Sequence, residues 1–551
     1  MATANGQRLT ANGETRLSLC VAVLLAACPA AAVERTEGLI GGGTKWATPY
    51  YVVDSKVAGP AVMITGGMHG NEPAGARAAE QIRSWTIRRG RLIVIPRLNV
   101  TALDAGKRLT PGAERDCGNL NRNFPKTGQG DKARGPRAKG LWAFVKSSKP
   151  DWLGDLHEGF DFHKSNPKST GASIISLPKL KLGQTVKLML EAVNASISDE
   201  GRKIVPLRGS ANGSLARAAA ERLGARTMIL ETCCNKQPIS LRTRRHRIMV
   251  HRLLKHLKMV DCKSIRMVGS DPRARRIAIY NGPGASQTAG LRIEKLLRAG
   301  PGALVRLVGP QDIADGVLAG QFDAVVFGGG SGSGQSTALG QDGRKAVRAF
   351  VKGGGGYLGI CGGAYLATSK YKWGLKIIDA RTVDSKHWKR GVGKVKMEFT
   401  KLGTEILGGP GKTVGVHYAN GPLLGPCNRK DIDDYRVLAH FRGEINKNNA
   451  PKGVMMNSPA MILGRFGSGK VILFSPHPEK SAALEGAVGR AVGHVSGQRP
   501  WPQRAQRKVT AAALLRQRQR PSPQRTQRSQ RTATSMLRQR RRGKSTARTQ
   551  R

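Results

Sequence analysis

The sequence predicts an α/β protein with two mostly parallel-sheet domains and a disordered basic tail. Short apolar runs alternate with helix-forming segments, and this alternation occurs twice along the chain, as expected for strands and helices that build parallel sheets. A chain of 551 residues is also too long for one hydrophobic core. The net charge of +56 is uneven, because no acidic residue follows Glu485, so the end of the chain needs a separate interpretation.

Residues 1–34 have the pattern of a signal peptide. Arg8 and Arg16 precede the apolar run 17–27, and small residues follow it, which is the charged, apolar and small-residue order of an export signal. Residues 25–28 also resemble a bacterial lipobox, in which Cys28 would carry the lipid. We therefore expect an exported protein that is periplasmic, secreted or lipid-anchored at the cell envelope. No other stretch is apolar enough to predict a membrane span in the mature chain.

The first domain is predicted to occupy residues 35–262. Residues 72–84 have helical character, and Pro73 suits a first helical turn. Four compact apolar runs are typical of strands buried on both faces. These runs are 61–65, 91–96, 152–156 and 227–230.

A basic linker, 263–275, precedes a second predicted domain at 276–490. Four apolar runs there again predict strands. These runs are 276–280, 323–327, 356–361 and 471–475. Residues 491–551 are rich in Arg, Gln, Ser, Thr and Pro, so they are predicted to be disordered. An Arg-rich tail can contact polyanions through counterion release.

A metal site is predicted in the first domain. His69 and Glu72 follow the first buried strand, and His157 ends another strand. Zinc takes imidazole nitrogen and carboxylate oxygen in catalytic sites. The carboxyl ends of parallel strands are where open α/β sheets bind ligands. A histidine and a glutamate three residues apart are a weak signal alone, so the distal histidine is needed for this interpretation.

Two further segments suit amide hydrolysis. Asn121 and Arg122 are adjacent, and together they can hold a substrate carboxylate through an amide and a guanidinium. Glu231 lies at the end of a strand, where a carboxylate beside a metal can act as general base.

Taken together, residues 51–259 resemble the zinc carboxypeptidase superfamily, and within it the succinylglutamate desuccinylase/aspartoacylase branch. The order and spacing of the metal, Asn-Arg and glutamate motifs match that family. The resemblance implies zinc-assisted hydrolysis of an amide next to a carboxylate. It also implies an arginine, upstream of Asn121, that polarises the scissile carbonyl. Arg115 is the nearest residue for this role and Arg108 the second, and the spacing does not decide between them.

The second domain carries a candidate thiol site. Cys361 lies between a strand and a helix within Gly-Ile-Cys-Gly-Gly, an arrangement typical of a nucleophile elbow. His477 and Glu479 follow the last strand and can serve as base and orienting acid.

Residues 276–490 resemble the class I glutamine amidotransferase fold, and more closely the amidotransferase-like N-terminal domain of some biotin–protein ligases. Besides Cys361, the segments 359–367 and 417–422 carry this resemblance, which implies a flavodoxin-like sheet. The chain departs from a working amidotransferase because no synthetase or acceptor domain is evident. A degenerate binding domain is therefore an alternative interpretation.

The predicted function is zinc-dependent hydrolysis of an N-acyl amino acid, with Zn²⁺ as cofactor and a small acyl-amino acid or peptide as substrate. One alternative is an exported metallocarboxypeptidase that acts on cell-wall or other peptides. The other is a non-enzymatic binding protein whose tail binds polyanions.

Overall fold

The computed structural model describes residues 33–114, 117–261, 267–269, 274–300 and 302–497. The strands of the first domain are β1 (Glu34–Ile40), β2 (Thr48–Asp54), β3 (Ala61–Gly66), β4 (Arg91–Ile95), β5 (Trp152–Gly159), β6 (Ser173–Ser176), β7 (Val205–Arg208) and β8 (Arg226–Cys233). Its α-helices are α1 (Pro73–Ile82), α2 (Val100–Ala105), α3 (Pro136–Ser148), α4 (Gly183–Asn194), α5 (Leu215–Leu223) and α6 (Ile239–His256).

The eight strands form one sheet in the order β1-β2-β4-β3-β5-β8-β6-β7. The central strands β4, β3, β5 and β8 are parallel, and β1, β2 and β6 add antiparallel pairings on either side. Helices cover both faces. Val62 and Ile64 pack with α1, α4 and α6, whereas Met63 packs with α3 and α5, since successive strand side chains point to opposite faces.

The strands of the second domain are β9 (Arg275–Tyr280), β10 (Ala303–Val308), β11 (Ala324–Phe327), β12 (Gly356–Ile360), β13 (Ala380–Thr382), β14 (Val392–Phe399), β15 (Val414–Ala419), β16 (Leu424–Pro426), β17 (Arg436–Phe441), β18 (Pro459–Phe466) and β19 (Gly469–Phe474). Its α-helices are α7 (Gln287–Arg298), α8 (Pro310–Ala314), α9 (Gly332–Lys352), α10 (Gly362–Ala367), α11 (Lys401–Leu407) and α12 (Glu485–Val495).

Nine of these strands form a sheet in the order β10-β9-β11-β12-β19-β18-β17-β14-β15. The first five are parallel, and the remaining four continue the sheet in antiparallel fashion. β13 and β16 pair separately. The predicted α/β fold is confirmed, with the parallel strands of each domain accompanied by antiparallel ones.

Two details differ from the predicted boundaries. Helix α12 continues to Val495, so the folded chain extends past residue 491. Its buried residues Val488, Val492 and Val495 have helical spacing, a pattern that the neighbouring Arg-rich composition obscures. Met267, within the predicted linker, is fully buried in the second domain. The predicted signal peptide, apart from its last two residues, and tail residues 498–551 lie outside the described residues.

Within the described ranges, no helix combines the length and apolarity needed to cross a membrane.

The two α/β domains share a charged interface. The Asp312 carboxylate, in α8 of the second domain, accepts hydrogen bonds from Arg244 and Arg247 of α6, at 2.9 and 2.7 Å. Arg77 of α1 donates two hydrogen bonds to Glu294 of α7, at 2.5 and 2.7 Å. The second domain therefore supports both α1 and α6 of the first domain.

Replacing Asp312 with asparagine is expected to lower the free energy of unfolding by about 3–5 kcal/mol at neutral pH, because two largely buried guanidinium groups lose their carboxylate. Burial alone would raise the pKa of Asp312, but Arg247 and Arg244 hold it below its usual value. The carboxylate therefore stabilises the fold above pH ~4, and this contribution is lost as the pH falls further. Denaturant unfolding of both proteins at several pH values should show the difference shrinking in acid.

Asp315→Asn is the matched control. Asp315 also pairs with Arg244, but its side chain is 54% exposed, so its loss should cost about 0–1 kcal/mol. Equal destabilisation by the two variants would contradict the role assigned to burial.

Candidate metal centre and thiol site

The three predicted metal ligands lie together at one edge of the first sheet. His69 and Glu72 are in the loop between β3 and α1, and His157 is on β5. One donor atom from each side chain lies within 4.8 Å of the others, and all three residues are buried. His69 Nδ1 lies 2.8 Å from Glu72 Oε1, and His157 Nδ1 lies 2.9 Å from Glu72 Oε2. Both imidazoles thus present the same ring atom to one carboxylate.

The loop that carries His69 and Glu72 depends on close backbone packing. A Cβ atom at Gly75 would lie 2.5 Å from the Leu156 carbonyl oxygen, so a larger residue would push α1 away from β5. The Ala74 amide donates to Glu158 Oε1 at 2.5 Å, which satisfies one of the free N–H groups at the start of α1. Arg242 of α6 holds the other Glu158 oxygen. Glu158 is thus a buried support of the loop.

Two polar residues contact the Nε2 atoms of the imidazoles, the ring nitrogens that do not face Glu72. His157 Nε2 lies 2.9 Å from Asp155 Oδ2, and the other oxygen of Asp155 accepts from Thr65 at 2.6 Å. His69 Nε2 lies 3.2 Å from Asn119 Oδ1. Such partners set the tautomer and ring orientation of metal-binding histidines. Sequence reasoning missed both roles, although residues two apart on a strand, such as Asp155 and His157, share a face.

The chemistry of this cluster fits a zinc ion. Burial alone would raise the pKa of Glu72, but hydrogen bonds with His157 and His69 hold it below its usual value. Burial would lower the pKa of His157, but Asp155 and Glu72 raise it well above its usual value. The Glu72 carboxylate therefore favours a positive charge between the two imidazoles, where the three donor atoms lie close together. Two imidazoles and one carboxylate are a usual protein ligand set for catalytic zinc.

Glu231 lies beside this cluster on the neighbouring strand. In the parallel pairing of β5 with β8, Glu231 is opposite His157. Its Oε1 atom lies 3.5 Å from Thr170 Oγ1, and its buried Oε2 atom has no hydrogen-bond partner among the described residues. Burial raises the pKa of Glu231 to about 8, so this carboxylate readily accepts a proton.

Arg108 contacts the cluster, and its charge acts on Arg122. Arg108 Nη1 donates to Glu72 Oε1 at 2.6 Å, so the second of the two predicted carbonyl-polarising arginines lies at the metal cluster. Arg115, predicted first for that role, lies outside the described residues. Arg122 is exposed over part of its surface, and the burial of the rest, together with the charge of Arg108, lowers its pKa. Asn121 is buried, and its side-chain oxygen accepts from the Leu215 amide at 3.1 Å.

The predicted thiol residues also come together, at the carboxyl ends of β12 and β19. Cys361 has φ 51° and ψ −101°, a backbone conformation that is strained for a residue other than glycine and typical of functional sites. His477 Nδ1 lies 2.7 Å from Glu479 Oε1. Burial would lower the pKa of His477, but the nearby Cys361 thiol and the Glu479 carboxylate raise it to about 9. The imidazole is thus hydrogen-bonded to the carboxylate and lies close to the thiol, whose own hydrogen bond goes to the Ala419 carbonyl oxygen at 3.4 Å.

Close packing also constrains the wall beside this chain. A Cβ atom at Gly329 would lie 2.7 Å from His477 Cε1, so the glycine leaves room for the imidazole. A cavity of about 620 Å³ opens in front of Cys361 and His477. The thiol therefore has space for a small substrate.

Comparisons with known proteins agree with both domains. Residues 58–257 match the model of the succinylglutamate desuccinylase/aspartoacylase catalytic domain, and residues 275–387 match that of the biotin-protein ligase N-terminal domain. The second match includes Cys361 and ends before His477 and Glu479.

A segment of 104 residues is 36% identical to the N-alpha-acetyl-L-2,4-diaminobutyric acid deacetylase of Halomonas elongata, and it covers 18% of this chain and 29% of that protein. The chain thus spans under a third of this curated relative.

Two solved structures are similar to this chain at lower sequence identity. The succinylglutamate desuccinylase/aspartoacylase of Rhodobacter sphaeroides is 22% identical over 41% of this chain and 66% of its own, with a TM-score of 0.30. The cell shape determinant Csd4 of Helicobacter pylori is 18% identical over 43% and 57%, with a TM-score of 0.33. Such limited overlap carries no argument about activity. The two matches thus show that the chain joins a region similar to the succinylglutamate desuccinylase/aspartoacylase catalytic domain to a region similar to the biotin-protein ligase N-terminal domain.

Proposed function

We propose that the first domain is a zinc-dependent hydrolase that cleaves an amide bond next to a carboxylate. This proposal rests on the buried cluster of donor atoms from His69, Glu72 and His157. On the adjacent strand, one oxygen of Glu231 has no hydrogen-bond partner among the described residues. The catalytic-domain family match supports it. The ion would be held by both Nδ1 atoms and the Glu72 carboxylate, and it would polarise the scissile carbonyl and favour ionisation of water.

The protein's own groups then have separate tasks. Asp155 and Asn119 hold the two imidazoles with Nδ1 facing Glu72. Glu231, which lies opposite His157 and has an unpartnered oxygen, takes a proton from the attacking water and delivers it to the leaving nitrogen. Arg108, released from Glu72, stabilises the negative charge that develops on the carbonyl oxygen.

Substrate recognition is assigned to Asn121 and Arg122. The exposed guanidinium of Arg122 can bind a carboxylate through a charge-assisted hydrogen bond, and the Asn121 amide nitrogen can donate a second one. We therefore place an N-acyl amino acid first among substrates. A peptide with a free carboxyl terminus satisfies the same contacts, so a metallocarboxypeptidase acting on cell-wall or other peptides is the alternative.

The test is an assay of the purified full chain with and without a chelator. Zinc content is measured together with hydrolysis of N-acetyl and N-succinyl amino acids, their carboxamide counterparts and cell-wall peptides. We expect hydrolysis that the chelator stops and zinc restores, and a loss of activity when the substrate carboxylate becomes a carboxamide. Preference for cell-wall peptides would favour the alternative. A metal-free protein with no activity after zinc addition would refute the proposal.

The grouping of Cys361 and His477 at one cavity, with Glu479 hydrogen-bonded to His477, favours a second function in the same chain. We propose that Cys361 is the nucleophile of a thiol-dependent amide hydrolase, with His477 as base and Glu479 as the acid that orients it. Modification of Cys361 by a small alkylating reagent, followed by peptide mapping, tests its reactivity. A Cys361 that reacts no faster than in the His477→Ala variant would argue for a binding domain instead.

Export to the cell envelope and polyanion binding by the tail remain proposals that rest on residues 1–34 and 491–551. Cell fractionation tests the first. Salt-dependent binding of the full chain and a 1–497 truncation to heparin tests the second, and it also tests the non-enzymatic alternative.

A further inference from the structure

The cavity in front of Cys361 has an aromatic wall. The rings of Tyr371 and Trp373 are stacked, with centroids 4.5 Å apart, and the ring of Tyr365 lies 6.3 Å from that of Tyr371. Trp388 also lines the cavity and is 47% exposed. Flat apolar faces of this kind bind flat or ring-shaped groups, because stacking adds to the burial of apolar area.

The remaining lining of the cavity is polar and electropositive. Helices α7 and α9 both begin at the cavity, where Ser286 and Ser331 accept hydrogen bonds from the helix amides at 3.3 and 3.0 Å. Helix N-termini carry partial positive charge. Of the described residues that line the cavity, none is Asp or Glu, whereas Lys480 contributes positive charge. An ammonium group would therefore meet no carboxylate in the lining of the cavity, and an unpaired charge is costly in a partly desolvated site.

We propose that the thiol site acts on a primary amide that bears a ring or other flat group and no ammonium group, so that free glutamine is a poor substrate. The ring lies on Trp373 and Tyr371, and the scissile amide faces Cys361. This substrate class rests on the thiol function proposed above. A negative group on the substrate is tolerated because the starts of α7 and α9 face it.

The reaction balances without a further co-reactant. Cys361 Sγ bonds to the amide carbon as its proton passes to His477. The carbon–nitrogen bond breaks, and the nitrogen takes that proton and leaves as ammonia. Water then attacks the thioester, which releases the carboxylic acid and restores the thiol.

Alkylation of the full chain tests the substrate class without requiring turnover. Three reagents share one reactive group: 2-chloroacetamide, its N-phenyl derivative and its N-(2-aminoethyl) derivative. Peptide mapping gives the rate at Cys361 relative to the exposed Cys234 in the same sample, which cancels intrinsic reactivity. We expect the phenyl reagent to raise this ratio about five- to tenfold over chloroacetamide, in line with aromatic stacking, and the aminoethyl reagent to lower it.

Substitutions test whether Trp373 is responsible for the preference for the phenyl reagent. Trp373→Ala should remove the phenyl advantage and Trp373→Phe should retain most of it. Leu39→Ala changes an exposed apolar side chain in the first domain and should leave the phenyl advantage unchanged. Ammonia release should follow the same order, with N-benzyloxycarbonylglutamine above N-acetylglutamine and free glutamine last.

The outcomes separate the two proposals. If Cys361 reacts with none of the reagents, the thiol function itself fails. If Cys361 reacts quickly but shows no phenyl preference, or prefers the aminoethyl reagent, the thiol function stands and the substrate class is overturned.

Discussion

Replacing His157 with alanine is expected to abolish zinc binding and to lower kcat/KM on amide substrates by roughly a thousandfold or more. His157 is buried between Glu72 and Asp155, so its loss removes a donor and leaves two carboxylates facing one another. A bound metal supplies several kcal/mol of transition-state stabilisation, and each 1.36 kcal/mol is a factor of ten in rate. Metal content after dialysis and steady-state kinetics measure the two effects.

His163→Ala is the matched control for this prediction. His163 lies in the loop that follows β5, and its Nδ1 atom is 2.7 Å from the Ser169 carbonyl oxygen, outside the ligand cluster. The control should keep its zinc and nearly all of its activity. His69→Ala provides a second test if the His157 variant does not fold. Full zinc occupancy in both ligand variants would refute the metal site.

The second large effect is expected for Glu231→Gln. The substitution should lower kcat about 10²- to 10⁴-fold, the usual contribution of a general base, while zinc content and KM change little. Glutamine has nearly the same shape but cannot accept the proton from water. Kinetics and metal analysis of one preparation distinguish this outcome from loss of the metal.

Thr170→Val serves as the control for Glu231. It removes the hydroxyl that lies 3.5 Å from Glu231 Oε1 and leaves the carboxylate in place, so we expect less than a tenfold change in kcat. If Glu231→Gln retained wild-type kcat with zinc bound, another group would have to act as base.

Much of the candidate site is visible in short stretches of sequence. His69 and Glu72 are three residues apart after an apolar run, and His157 and Glu231 each lie in an apolar run. These positions can be found because the ends of buried strands in α/β folds meet at one edge. The same logic finds Cys361 and His477, which follow the neighbouring parallel strands β12 and β19.

The supporting contacts could not be found in this way. The position of Glu158 beside His157 suits a supporting or a surface residue, and only the structure shows that α6 buries it against Arg242 and the start of α1. The spacing of the motifs favours Arg115 over Arg108 as the arginine that polarises the carbonyl. In the structure, however, the loop brings Arg108 into contact with Glu72. Spacing along a loop does not determine the direction of a long flexible side chain, because that direction depends on neighbours distant in sequence.

Local pattern was sufficient for the α/β fold and for the strand ends that carry the two candidate sites, since apolar periodicity and glycine positions are local properties of the chain. The tertiary structure alone decided how the domains meet. The burial of Asp312 with Arg244 and Arg247, and the stacking of Tyr371 on Trp373 in front of Cys361, depend on the packing of whole domains and loops. The spacing of charged and aromatic residues along the sequence does not predict their partners. Only the folded structure shows which of them are in contact.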